Sequence, residues 1–229
     1  MVQFIESELE LLKKEVGEMW TLVYNQMEMA YQAVLSMNVE QARQVIMREK
    51  RVNAFELKID SDVEDVISLY SPVGVELRFA LAMLKINSNL ERIGDFAESI
   101  ARYVVVNEHA RLDETLLEKS KLKEMFDVCL SMLKTTQQAL LEENIELATS
   151  VIPQDNVLDE INAEITPLLA EYLVSHPDEM LPGLHLVSVF RKLERAGDHI
   201  TNMAEEIVFF VDAKVLKHSG KTEDGYVKE

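Results

Sequence analysis

The chain has 229 residues, 23 Lys and Arg against 41 Asp and Glu, a formal net charge of −18 and a 48% hydrophobic content. So acidic a body repels the phosphate backbone, because nucleic-acid affinity comes mainly from Lys and Arg releasing counterions, and so much apolar material excludes disorder as the main state. The single Cys129 leaves no cysteine pair for a disulfide or a metal, which fits a reducing compartment.

Apolar residues at Ile5, Leu9, Leu12, Val16, Met19, Val23, Ala30, Val34 and Met37 recur three and four positions apart, with polar Gln26 filling the one gap. This pattern predicts a long amphipathic helix, about 33 residues and about 50 Å. Asn38, with Glu40 beyond it, reads as the cap of a second helix that closes near Tyr70 at the Ser71, Pro72 and Gly74 cluster. A third helix follows to about Asn107. A fourth starts near Asp113, a fifth at Asn144, and a sixth runs from beyond His176 and Pro177 to about Asp212. The longest run without a charge, Met180 to Phe190, is broken by Pro182 and Gly183, whereas a spanning helix needs about 20 apolar residues. The first ten residues carry Glu6, Glu8 and Glu10 and no basic stretch ahead of an apolar one, so no secretory signal is expected and a cytoplasmic location is the expectation.

The chain repeats itself. NVEQARQVI from Asn38 resembles NIELATSVI from Asn144 at an offset of 106, and LERIGD from Leu90 resembles LERAGD from Leu193 at an offset of 103. Glu56 and Asp60 are matched to Asp155 and Asp159 at an offset of 99, which implies that seven residues, about two helical turns, are missing near Pro153. The expected fold is all-α: two pseudo-symmetric antiparallel three-helix bundles built from six long helices and elongated overall. The units are 1–107 and 108–212, followed by a polar tail, 213–229.

Each unit has two carboxylate pairs at a spacing of four: Glu56 with Asp60 and Glu91 with Asp95, then Asp155 with Asp159 and Glu194 with Asp198. That spacing sets both side chains on one helix face, where like charges cost about 0.2–0.5 kcal/mol per pair. The glycine inside the later pair of each unit, Gly94 or Gly197, costs about 1 kcal/mol more relative to alanine. Costs carried twice at matched places point to a multivalent cation bound by hard oxygen donors, with Glu64 and Glu98 outside the first shell of ligands. For any one pair, a solvated acidic face beside Arg92 or Arg195 is the plain alternative.

Other motifs carry less. No histidine has a Glu three residues before it, which disfavours a ferritin-like di-iron oxidase. Ser219 to Thr222 resembles the end of a phosphate-binding loop but lacks its first glycine, with Val215 in that place. His199 and His185 are expected at the rim or in the core, Cys129 as a small buried hydrophobe, and Trp20 as packing. No nucleophile, acid and base come together, so no enzyme is expected.

The two LER-x-GD copies, each preceded by an acidic helix and an Asn-x-Glu-x-Ala-x-x-Val-Ile opening, resemble the PhoU family of phosphate-signalling regulators over about Ile5 to Asp212. The resemblance implies ExxxD or DxxxD motifs that hold multinuclear iron or zinc clusters, with Mg²⁺ or Mn²⁺ in some members, at the eight acids just named. It implies a negative regulator of phosphate uptake and of phosphate-starvation signalling that couples the ATPase subunit of the high-affinity phosphate ABC transporter to its sensor histidine kinase. Such a protein is peripheral to the membrane through its partners and binds no nucleic acid; homodimerisation is expected from the apolar stripes of its long helices. An accessory role at a low-affinity phosphate transporter is the alternative from the same resemblance, and a carboxylate-metal enzyme is the alternative from another class. The family's Gly-Asp-His-Ala-x-Asn segment survives partly as Gly197, Asp198, His199 and Asn202, with Phe96 and Ser99 at the His and Asn places of the first copy.

Overall fold

The structure, a computed structural model, describes residues 2–110 and 113–213. The tail beyond Ala213, with the Ser219 to Thr222 segment, lies outside the described residues. Three long helices form the first half: α1 (Val2–Ser36), α2 (Val39–Tyr70) and α3 (Val75–Val106). The second half contains α4 (Glu114–Lys119), α5 (Leu122–Glu142), α6 (Ile145–Val151), α7 (Asp155–Ser175) and α8 (Met180–Asp212). No strand occurs among the described residues.

The expected caps are in place. Asn38 accepts a hydrogen bond from the Gln41 amide at 3.0 Å, and Asn144 accepts one from the Leu147 amide at 3.1 Å, so the repeated Asn-x-Glu-x-Ala opening starts a helix in both copies. Asp113 accepts from the Leu116 amide at 3.0 Å and opens α4. Ser71 ends α2 in the left-handed region at φ 47°, and Gly74 at φ 58° admits the turn into α3.

The second half departs from an uninterrupted three-helix plan. Its first rod is broken after Lys119, where Lys121 takes φ 55°, and its second becomes α6 and α7 joined by a 3₁₀ turn, Ile152–Gln154. Pro153 lies in that turn, where its missing N–H costs nothing. Pro167 sits inside α7, which continues past it to Ser175.

Each half buries an apolar core, and the halves join along two seams, α3 against α8 and α1 against α5. Trp20 on α1 is fully buried and its Nε1 donates to the Leu133 carbonyl on α5 at 3.0 Å. Burial satisfied in this way makes it packing, as expected. Along the antiparallel α3–α8 seam, Phe79 meets Phe210 edge-on at 5.3 Å, Lys85 pairs with Glu206 at 2.9 Å, and Phe96 lies 5.5 Å from His199. Phe96 and His199 occupy the same place in the two LER-x-GD copies. A pseudo-two-fold axis therefore runs between them.

Candidate acidic site and family membership

In the first half, α2 and α3 set their acids on a shared face. Asn87, fully buried on α3, donates from one amide nitrogen to the Glu56 carbonyl at 3.0 Å and to the Asp60 carboxylate at 2.8 Å. That clamp fixes the register of the two helices and holds Asp60 in place. Burial raises the proton affinity of Glu56, and repulsion from Asp60 and Asp95 adds to it against the pull of Arg92. Glu91 is raised likewise, by burial first and then by Asp95 and Glu56. Arg92 bridges Glu91 at 3.5 Å and Asp95 at 3.3 Å. Glu56, Glu91 and Asp95 thus feel one another across the helix pair, and one guanidinium offsets part of the repulsion.

One acid of this face stands outside the carboxylate pairs expected from the sequence. Glu49 on α2 is 6% exposed, accepts from Gln26 Nε2 at 2.7 Å, and keeps its other oxygen buried without a hydrogen-bond partner among the described residues. Desolvation is the main cause that pushes its carboxyl up to about 7, with Asp95, Glu98 and Glu91 raising it further against the Gln26 bond. Gln26, the polar break in the α1 stripe, is buried in the core to serve this carboxylate.

Glycine geometry corrects the register of the repeat. A Cβ built at Gly94 would meet Val52 Cγ1 at 3.0 Å and Glu49 Oε2 at 3.4 Å; one built at Gly197 would meet Asp155 Oδ1 at 2.3 Å and Leu158 Cδ1 at 2.5 Å. Glu49 and Val52 therefore face the first glycine as Asp155 and Leu158 face the second. Both correspondences run at the offset of 106 that already relates Asn38 to Asn144. Asp155 is the counterpart of Glu49 rather than of Glu56, and no seven-residue deletion is needed. In each copy the missing side chain lets an α2-type carboxylate sit against the α3-type helix.

In the second half Asp155 lies beside Gly197, Glu194 and Asp198 are half-buried on α8, and Asp159 is exposed on α7. Arg195, the counterpart of Arg92, lies over the Phe96 ring at 5.0 Å and so spans the seam. His199 Nδ1 is 2.7 Å from Asn89 Oδ1, and burial followed by Arg195 depresses its protonation. His185 Nδ1 is 3.1 Å from Asn107 Oδ1. Both histidines are satisfied seam residues. Cys129 is fully buried, and burial pushes its thiol up to about 12, so it is an inert apolar residue. Among the described residues, no three His, Cys, Asp or Glu side chains converge closely enough to hold a metal ion as they stand.

The PhoU domain model matches twice, over residues 16–104 and 122–207. The chain belongs to the PhoU family. It is 29% identical over 212 residues to the phosphate-specific transport system accessory protein PhoU homolog 1 of Thermotoga maritima, covering 93% of this chain and 90% of that one. It is 30% identical over 224 residues to the PhoU homolog of Aquifex aeolicus, covering 95% and 97%. The crystal structure of PhoU from Pseudomonas aeruginosa superposes with a TM-score of 0.86 at 25% identity over 91% of this chain and 99% of that one. Each PhoU domain match contains one LER-x-GD copy, and no described helix is long and apolar enough to cross a membrane.

Proposed function

We propose that this PhoU-family chain is a non-enzymatic accessory protein of a phosphate transport system, docking on the transporter's ATPase subunit and on a sensor histidine kinase to hold uptake and starvation signalling down when phosphate is plentiful. The observation that carries this reading is full-length likeness: both PhoU domains are present, and relatives named as phosphate-specific transport accessory proteins align over nine-tenths or more of each chain. Affinity purification from phosphate-replete and phosphate-starved cells tests it. Recovery of transporter ATPase and kinase, in amounts that change with phosphate, supports the proposal; their absence from both samples overturns it.

A multivalent cation at the α2–α3 face is part of the same proposal. The observation favouring it is the buried Glu49 oxygen without a hydrogen-bond partner, beside Glu56 and Glu91 whose proton affinities are both raised. Carboxylates that hold protons too tightly because they are desolvated and, secondarily, repel one another are stabilised by any cation that replaces those protons. Glu49, Glu56, Asp60, Glu91 and Asp95 would hold it in the first half, and Asp155, Asp159, Glu194 and Asp198 in the second, with Glu91 and Asp95 turning from Arg92. Iron, zinc, Mg²⁺ and Mn²⁺ all suit a carboxylate set of this kind in some geometry. Bound there, the ion would supply positive charge that fixes one helix against the next. Elemental analysis of the purified protein beside Glu91→Ala, Asp95→Ala, Glu194→Ala, Asp198→Ala together is the test: lower metal content in the variant supports the site, and equal content removes it.

A further inference from the structure

The α3–α8 seam holds a second arrangement of charged groups, away from the acidic face. A cleft of about 180 Å³ opens between the two helices, lined by Ser99, Arg102 and Tyr103 from α3 and by His185, Ser188 and Lys192 from α8. Pockets that enclose a drug-sized molecule run to about 300–1,000 Å³, so this one suits a small ion with its waters. In a chain of net charge −18 a pocket with two cationic side chains runs against the composition.

The pseudo-two-fold axis shows how unusual the pocket is. Shifting by the 103 residues that relate the LER-x-GD copies, Ser188 corresponds to Lys85 and Tyr103 to Glu206. On the far side of the axis that pair of positions is closed from within, by the Lys85–Glu206 ion pair at 2.9 Å, with Glu206 only 3% exposed. On the near side the carboxylate is replaced by Tyr103, 6% exposed, whose hydroxyl has no hydrogen-bond partner among the described residues. The cation here is Lys192, half-buried, and its ammonium donates to the Ser188 hydroxyl at 2.5 Å. Among the described residues, no carboxylate lies within ion-pair distance of Lys192. Arg102 is exposed at the mouth, held on one side by Glu98 at 2.6 Å. Asn107 fixes the His185 ring from the opposite wall. A desolvated ammonium without a counter-charge is costly, and an anion that enters restores the balance.

We infer that this cleft is a binding site for a phosphoryl-type oxyanion, held by the Lys192 ammonium and the Arg102 guanidinium, with the Ser99, Ser188 and Tyr103 hydroxyls offering neutral hydrogen bonds. Lys and Arg donors to phosphate oxygens make the stronger, charge-assisted kind of hydrogen bond, and a tetrahedral dianion can accept from several walls at once. The ion is either free inorganic phosphate or the phosphoryl end of an ester whose organic part stays outside the cleft. This site is independent of the acidic face and of the transporter reading.

Calorimetric titration of the full chain, after chelator treatment so that no carboxylate-bound metal captures the anion, tests the inference with inorganic phosphate and with glycerol 3-phosphate at low ionic strength. Saturable binding of at least one is expected, weakened about tenfold or more in Lys192→Gln and in Arg102→Gln. Lys192→Arg retains it, and Lys134→Gln, an exposed change on α5, leaves it unaltered. Tighter binding of phosphate assigns the free ion, and tighter binding of the ester assigns a phosphorylated molecule; both support the site. Binding of neither anion, or equal binding by the parent and by a Lys192→Gln protein with unchanged circular dichroism, overturns it.

Discussion

Glu49 is the residue whose chemistry departs furthest from its surroundings. Its carboxyl, near 4.5 in an unfolded chain, is pushed up to about 7 in the fold, so the folded state holds this proton more tightly. The stabilisation this brings is complete below about pH 4.5 and is lost as pH rises through 7. Glu49→Gln keeps the shape and removes the charge, so its stability relative to the parent should improve between pH 5 and pH 8 by about 2 kcal/mol, as measured by urea denaturation at each pH. An unchanged difference would show that the carboxylate is already compensated. This residue was hard to find because it stands in the charged run Arg48 to Arg51, which looks like a solvated face. Two signals were nonetheless present: the break in the α1 stripe at Gln26, and the offset of 106, which, held constant past Ile46, leads from Asp155 to Glu49. By contrast Asn87, which clamps Asp60, carries no sequence signal, since a fully buried asparagine is indistinguishable in the sequence from one at the surface.

At the scale of helices, close approach decides where substitutions are tolerated. Alanine at Gly197 places a methyl group 2.3 Å from the Asp155 carboxylate and 2.5 Å from the Leu158 methyl, so both side chains must leave their places or α7 and α8 must separate. Gly197→Ala should cost about 1–3 kcal/mol by thermal or chemical denaturation. Gly94→Ala meets Val52 Cγ1 at 3.0 Å and Glu49 Oε2 no nearer than 3.4 Å, and up to about 1 kcal/mol of helix propensity opposes these looser contacts, so its cost should be clearly smaller. Equal costs would mean that the two glycines do not play the different steric parts the geometry gives them. The helix starts at Asn38, Asp113 and Asn144 and the stop at Ser71 were legible, because capping and turn chemistry is local. The interruption at Lys121 was not, for no Gly or Pro marks it. Pro153 announces the break between α6 and α7, which is a 3₁₀ turn that leaves the residue count intact rather than the scar of a deletion.

Across the whole molecule, the two halves are fastened at both seams by groups that lose water together. Trp20→Ala removes a fully buried indole and leaves the Leu133 carbonyl without its donor; a loss of about 3–5 kcal/mol is expected. Because α1–α5 and α3–α8 contacts bind the halves into one body, scanning calorimetry of the parent should give a single transition, and Lys85→Ala, which strips an ion-pair partner from the buried Glu206, should lower its midpoint. Two resolved transitions would show that the bundles are energetically separate. The overall architecture followed from periodicity and repetition, whereas the pairing of α3 with α8 did not, since both helices read simply as amphipathic. Phe96 and His199 are twins of the repeat that touch each other, which makes this contact the meeting of like with like. When identical subunits meet across such an axis, one altered codon changes both sides; here each side has its own codons. A single chain can thus seal one flank with an acid of its own and keep the other open to a visitor, an asymmetry that a symmetric pair of identical chains has no means to encode.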